Sequence, residues 1–176
     1  GAVTFTSVGG VPCAEFNGGY IKTRENSGIT GTQSRSFAFL ALPSERAGNY
    51  CNAVGCGNNA ANCGLFNCGC KLEGSGINYE FTTWGNDINQ FACANDGKLH
   101  HFCYVLDSAE PTKLKIYVDG VKHEHSVSGI NTSAAPFFLG QSGAGGWNYY
   151  GFLANVKCYD VAFTDAEVAI LYEEMM

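Results

Sequence analysis

Between Lys113 and Val118 the chain alternates strictly, with Leu114, Ile116 and Val118 on one set of positions and Lys113, Lys115 and Tyr117 on the other. A repeat of two sends successive side chains to opposite faces, so this is a strand with one buried face. Asp119-Gly120 follows. Both positions tolerate positive φ, and a two-residue type I′ turn is predicted. That turn fixes a register in which Val118 opposes Val121, Ile116 opposes His123, and Lys115 opposes Glu124 as an opposite-charge pair. The whole stretch Lys98–Val127 thus reads as a strand, a polar break and a hairpin.

The same period recurs elsewhere. Val3 and Phe5 alternate with Thr4 and Thr6 in Ala2–Val8, which ends at Gly9-Gly10. Ala14–Phe16 and Tyr20–Lys22 read as short strands around Asn17-Gly18-Gly19. Ser36–Leu42 is apolar at nearly every position, the pattern of a strand buried on both faces, and Pro43 stops it. Ile77–Trp84, Ile88–Ala94, Phe137–Gly140 and Tyr149–Tyr159 complete the predicted strands. One helix is expected, Asp165–Glu173. Thr164 and Glu167 form a capping box before an apolar stripe of Val168, Leu171 and Tyr172. Asn49 to Gly69 carries Asn, Gly and Cys with few large apolar residues, and reads as a loop that cross-links must order.

Composition narrows the partners. A chain of 176 residues suits one substantial core, and 23 glycines with 15% charged residues fit short strands joined by tight turns. A net charge of −6 argues against nucleic acid and anionic membranes, which demand clustered Lys and Arg. No window approaches the roughly 20 apolar residues of a membrane span. There is no signal-peptide pattern, and a start at Gly1 reads as a mature or excised segment. Nine cysteines point to an oxidising compartment. The sequon Asn131-Thr132-Ser133 agrees, so a secreted or extracellular surface protein glycosylated at Asn131 is expected.

Leu99-His100-His101-Phe102 followed by Lys115-Ile116-Tyr117-Val118-Asp119-Gly120 resembles the middle of a laminin-G-like or pentraxin-like domain of the concanavalin A-like superfamily. Phe16-Asn17-Gly18, Phe138-Leu139-Gly140 and the run Gly151–Lys157 extend the resemblance, and Phe163–Val168 is similar to the family's ending of strand, acidic turn and short helix. Two departures are Leu99, where the family usually has Trp, and the cysteine-rich insert at about 49–70. The resemblance implies an all-β jelly-roll sandwich of two antiparallel sheets, with the single C-terminal helix, over residues 1–176.

The candidate chemistry is sparse. The family's glucanase branch needs paired carboxylates about 5–5.5 Å apart for retention or 6.5–9.5 Å for inversion. Here no strand carries two acids at i and i+2, Glu173-Glu174 reads as solvated helix surface, and no Gly-x-Ser-x-Gly occurs. No enzyme is expected. His123 and His125 share a strand face, but without a third ligand they read as rim histidines, and His100 and His101 point apart. No cofactor is expected. Calcium is the ion to consider, since related domains carry it at the rim. Asn86-Asp87 and Asn89 offer oxygens there, yet one Asp falls short of a calcium loop, and turn chemistry is the better reading. Trp147, Asn148 and Tyr149 follow a glycine-rich loop and form the expected ligand patch, with rings to stack on sugars and an amide to read hydroxyls; Tyr150 and Phe152 are assigned to the core.

The cysteines space as Cys51-x4-Cys56-x6-Cys63-x4-Cys68-x-Cys70, looser than the Cys-x2-Cys pairs of a zinc knuckle. Disulfides are expected, at least two of them in this cluster. Cys93 and Cys103 flank the Asp96-Gly97 turn and suggest a bridge across adjacent strands. Cys13 and Cys158 lie near the first and last strands, which run side by side in the resembled family. One cysteine remains odd. The expected role is a non-enzymatic extracellular binding or adhesion module. It would recognise glycan or protein through rim loops, or else act as a repeating subunit of a homo-oligomer or filament that exchanges its N-terminal strand.

Overall fold

A computed structural model describes residues 1–44, 50–59 and 63–176. Thirteen strands and one helix follow in order. They are β1 (Ala2–Val8), β2 (Val11–Asn17), β3 (Ile21–Asn26), β4 (Arg35–Pro43), β5 (Val54–Asn59), β6 (Gly64–Glu73), β7 (Gly76–Thr82), β8 (Asp87–Ala94), β9 (His100–Leu106), β10 (Lys113–Val118), β11 (Val121–Ser126), β12 (Pro136–Leu139), β13 (Tyr150–Tyr159) and α1 (Asp165–Met175). They form a seven-stranded sheet ordered β1-β2-β13-β4-β9-β10-β11 and a six-stranded sheet ordered β3-β12-β5-β6-β7-β8. The strand pairs are antiparallel, and the two sheets pack as a jelly-roll sandwich.

The central strand β4 shows why both its faces are apolar. Phe37, Phe39 and Ala41 enter the core between the sheets, and Ala38 and Leu40 face outward beneath α1 with Val168, Leu171 and Met175. Phe37 meets Phe66 edge-on at 5.2 Å between centroids, and Phe66 meets Phe81 at 5.0 Å, so the two sheets interlock through rings. The Asp119-Gly120 hairpin has the expected register, Val118 with Val121 through Lys115 with Glu124. Both turn residues have positive φ, +48° at Asp119 and +79° at Gly120. Thr164 and Glu167 cap α1 reciprocally, and the helix continues past Glu173 because Met175 is also buried against the sheet. His101, in β9, is fully buried against Tyr172, and neither ring nitrogen has a hydrogen-bond partner among the described residues. Burial takes its pKa down to about 4, so the ring is neutral.

Two expectations are corrected. The Asn-Gly-Cys segment is not a loop held by cross-links: its described part forms β5 and β6, in the middle of the six-stranded sheet. Val54, Cys56, Phe66, Cys68 and Cys70 all enter the core, where a thiol behaves as a small hydrophobe. Counting Cys as apolar exposes the period of two. Asn49, at the start of that expected loop, lies outside the described residues.

The disulfide expectation fails on geometry. Cys13 lies on the outer face of the seven-stranded sheet and Cys158 packs against the inner core, so the sheet itself separates them. Cys103 also faces outward under α1, while Cys93 sits on β8 of the other sheet. These four, with Cys56, Cys63, Cys68 and Cys70, are free thiols, and Cys51 is buried over β6. Burial pushes Cys56 up to about 11 and Cys103 and Cys158 up to about 12, which leaves them protonated and inert.

The N-terminal segment pairs within its own domain, at the edge of the seven-stranded sheet. All of β1 pairs in register with β2, from Ala2 opposite Asn17 to Val8 opposite Val11, and β2 separates it from the closing strand β13.

Candidate ligand-binding site

The outer face of the seven-stranded sheet carries α1, but that of the six-stranded sheet is polar and partly covered by chain. Alternation puts Asn67, Gly69 and Lys71 of β6, Glu80 and Thr82 of β7 and Asp87 of β8 on this face, and the register sets Asn67 opposite Thr82, Gly69 opposite Glu80 and Thr82 opposite Asp87. Two segments border it. The chain at Tyr50–Asn52 crosses over β6 so closely that a Cβ at Gly69 would stand 1.8 Å from the Cys51 carbonyl oxygen. Beside it runs the segment carrying Trp147, joined by the Asn52 amide donating to the Trp147 carbonyl at 3.0 Å.

A cleft of about 440 Å³ opens there, lined by Tyr50, Thr82, Trp84, Gly85, Asp87 and Trp147. Trp84 and Trp147 face each other at 5.5 Å between ring centroids with 31° between planes, and Tyr50 meets Trp147 edge-on at 5.9 Å. Both tryptophans have positive φ, +64° and +48°, a conformation that costs about 1–2 kcal/mol for a residue with a Cβ. Backbone strain of this kind gathers at functional sites. Trp84 remains 56% exposed.

Beneath the rings lies a recess of about 10 Å³, room for one water, reached by Asn52, Asn67 and Glu80. Asn52 donates to the Gln141 carbonyl at 2.6 Å and Asn67 donates to Ser142 Oγ at 3.1 Å, but their side-chain carbonyl oxygens accept nothing among the described residues. Each is a buried acceptor beside the recess. Glu80 is 3% exposed. Its Oε2 accepts from the Cys51 amide at 2.7 Å, and its Oε1 lies 3.3 Å from Lys71 Nζ. Burial, opposed by the Cys51 amide and by Lys71, pushes its pKa up to about 7. Lys71 goes up as well: burial alone would lower it, but Glu80 and Glu73 together outweigh that. The two directions agree if the ion pair forms fully only above neutral pH.

Of the expected patch, Trp147 lines the cleft. Asn148 instead ties the loop down, donating to the Gly18 carbonyl at 3.0 Å and accepting from Gln141 at 3.2 Å. Tyr149 is corrected outright: it is fully buried, its ring edge-on to Phe16 and its hydroxyl donating to the Phe152 carbonyl at 3.2 Å. The left-handed turn at Trp147 sends that ring outward, and two residues on the chain has entered the core. Tyr150 and Phe152, assigned to the core, are half-buried in β13.

Sequence reasoning missed Tyr50, Asn52, Asn67, Lys71, Glu80 and Trp84. Trp84 was placed on a strand that in fact ends at Thr82, and the signal was Trp-Gly-Asn-Asp, a turn sequence with an aromatic at its tip. The oxygens weighed for calcium are engaged: Asn86 Oδ1 accepts from the Ser128 amide, Asp87 from Thr82 and Asn89 from Asn78. His123 and His125 pack on Tyr79, whose hydroxyl lies 3.0 Å from His125 Nε2. Asn131 is exposed, and its amide donates to the Cys63 carbonyl. A glycan there is expected on protein secreted from eukaryotic cells, read as a mass shift on glycosidase treatment; an unchanged mass counts against it.

Within the described residues no helix is long and apolar enough to cross a membrane. No curated protein matches the chain. Among solved structures, domain 4 of AbnA, an extracellular arabinanase of Geobacillus stearothermophilus in complex with arabinotriose, is similar at TM-score 0.71 and 16% identity, over 98% of this chain and 82% of that one. A heptameric SAP-like pentraxin from Limulus polyphemus is similar at TM-score 0.68 and 16% identity, over 97% and 80%. The botulinum neurotoxin serotype G binding domain reaches 0.66 at 12%, over 98% of this chain and 45% of that one. These likenesses establish the fold. A family model described as the concanavalin A-like lectin/glucanases superfamily matches residues 16–169, and with the jelly-roll sandwich already in hand the chain belongs to that superfamily.

Proposed function

We propose that this chain is a non-enzymatic, extracellular carbohydrate-binding module whose sugar sits in the cleft lined by Tyr50, Trp84 and Trp147, against the aromatic wall these rings form together. The observation that carries this reading is the pairing of exposed rings with buried, unclaimed acceptors. Tyr50, Trp84 and Trp147 offer apolar faces to the C–H face of a pyranose or furanose ring, and Asn52 and Asn67 offer oxygens that reach its hydroxyls through a water in the recess beneath. The similarity of fold to an arabinanase domain solved with arabinotriose supports it.

Among the described residues Glu80 is the one carboxyl with the raised pKa of a general acid. Its Oε2 accepts from the Cys51 amide, its Oε1 faces Lys71 at 3.3 Å and it lies beneath the Tyr50–Asn52 segment, while Asp87 is engaged by Thr82, so binding is favoured over hydrolysis. The test is a glycan array that includes arabino-oligosaccharides, followed by calorimetry on any hit. Trp84→Ala and Trp147→Ala should each weaken binding roughly 30-fold, the size of an interface hot spot of about 2 kcal/mol. No reducing ends should be released from the bound glycan. An array at background, or a hit indifferent to both substitutions, would overturn the reading.

A further inference from the structure

A second constellation lies at the other end of β8. Asp87 begins that strand beside the cleft and Cys93 is its last residue but one, six residues on or about 20 Å away at the rise of a strand. There Cys93, His100 and Asp119 converge, each offering one ligand atom within 4.8 Å of the others. They come from three separate pieces of chain. Cys93 belongs to the edge strand of the six-stranded sheet, His100 opens β9 in the seven-stranded sheet, and Asp119 forms the tip of the β10–β11 hairpin.

We propose that Cys93, His100 and Asp119 form a site for a zinc-type divalent metal that clips the two sheets together at this end of the sandwich. The donor set is one thiolate, one imidazole and one carboxylate. Sulfur and nitrogen exclude calcium and magnesium, which take oxygen, and suit zinc, which is commonly held by three such residues with water in the fourth position. At bond lengths of about 2.0–2.3 Å, ligand atoms in a tetrahedral zinc site stand roughly 3.3–3.7 Å apart. The present spacing reaches that by small side-chain rotations.

The surroundings are those of a metal site as well. His100 Nδ1 lies 2.7 Å from Asp119 Oδ2, while its other nitrogen, Nε2, lies 3.2 Å from Asp96 Oδ1. A carboxylate on the second nitrogen of a ligating histidine fixes its tautomer and ring orientation. Asp96 is itself held by the Lys98 amide at 3.0 Å and by Lys98 Nζ at 3.2 Å. Asp119 is oriented in turn, because its Oδ1 accepts from the His101 amide at 2.9 Å and its own amide donates to the His101 carbonyl at 3.0 Å. Cys93 is only half-buried and is a free thiol, so a metal ion can reach it. Without metal the same groups satisfy one another as a thiol, imidazole and carboxylate chain, which accounts for a buried histidine at this rim.

The probe is Co2+ added to the whole chain under reducing conditions, with Zn2+ then displacing it. One equivalent of Co2+ should produce a thiolate-to-cobalt absorption band that Zn2+ abolishes, and zinc should raise the melting temperature. Cys93→Ser should remove the band while the far-ultraviolet circular dichroism is unchanged. Asp96→Asn, which leaves all three ligands in place, should weaken the metal about 10- to 100-fold. A folded wild-type chain with no such band overturns the proposal, as does a band that survives in Cys93→Ser. Neither result bears on the tryptophan cleft.

Discussion

Gly69→Ala is expected to lift the Tyr50–Asn52 segment off the six-stranded sheet, lower stability by about 3 kcal/mol or more, and abolish ligand binding in step. The new methyl would stand 1.8 Å from the Cys51 carbonyl oxygen and 2.9 Å from its carbon, so it meets backbone and no flexible side chain. That backbone cannot move alone. The Cys51 amide donates to Glu80, the Asn52 amide to the Trp147 carbonyl at 3.0 Å, and the Ala53 amide to the Cys68 carbonyl at 3.0 Å. Relief of the clash therefore breaks at least one buried hydrogen bond and carries Tyr50 away from Trp147. A useful control is Gly74→Ala, which meets nothing within 4 Å and suffers only its positive φ of +62°, at about 1–2 kcal/mol. Urea denaturation of both variants decides it. A Gly69→Ala chain as stable as the Gly74→Ala control would show that the segment is not seated on β6 as described.

The second large effect is on the pH dependence of stability. Glu80 has a folded pKa of about 7 against an ordinary value of 4.5, so the folded state holds the proton more tightly than the unfolded state does. Its contribution to stability is therefore complete below about pH 4.5 and is lost as the pH rises to about 7. The change over that window is roughly 3 kcal/mol. His101 acts in the opposite sense over much of the same range. Its folded pKa is depressed to about 4 from 6.5, so its contribution grows as the pH rises. The total curve will therefore be flatter than either part, and the measurement is a difference. Glu80→Gln retains an acceptor for the Cys51 amide and removes the ionisation. Relative to wild type it should gain about 3 kcal/mol between pH 4.5 and 7, read from urea midpoints at matched ionic strength. A difference that stays constant with pH would mean that burial does not shift Glu80.

How much of this was legible in advance follows from the range of the forces involved. Lys113–Ser126 could be read to the residue because its two determinants are local, an alternation and an Asp-Gly turn that admits one register. Thr164 and Glu167 announced α1 for the same reason. The strand β4 declared itself by being apolar at every position from Phe37 to Pro43, the pattern of a strand covered on both faces.

Cysteine was the residue whose meaning depended on context. In sequence it signals a cross-link, but in β5 and β6 it fills the core at alternate positions, and the seven-stranded sheet separates Cys13 from Cys158. Which face a thiol occupies is set by sheet register, and no local pattern carries it.

The cleft is the clearest case of long-range assembly. Trp147 could be picked out beside its glycines, yet Trp84 lies 63 residues earlier in the chain. Only the stacking of β7 and β8 beside the loop before β13 brings their rings to 5.5 Å. Asn52, Asn67 and Glu80 look like scattered polar residues until the register of β6 with β7 places them under those rings. Likewise Cys93, His100 and Asp119 meet because two sheets end at the same rim. The sequence by itself determined most of the strands (β5 and β6 excepted), the hairpin and the capped helix, since these rest on neighbours a few residues apart, and the order of its motifs pointed to the superfamily. Tertiary structure alone decided which side chains share a site, because that depends on the packing of strands far apart in the chain.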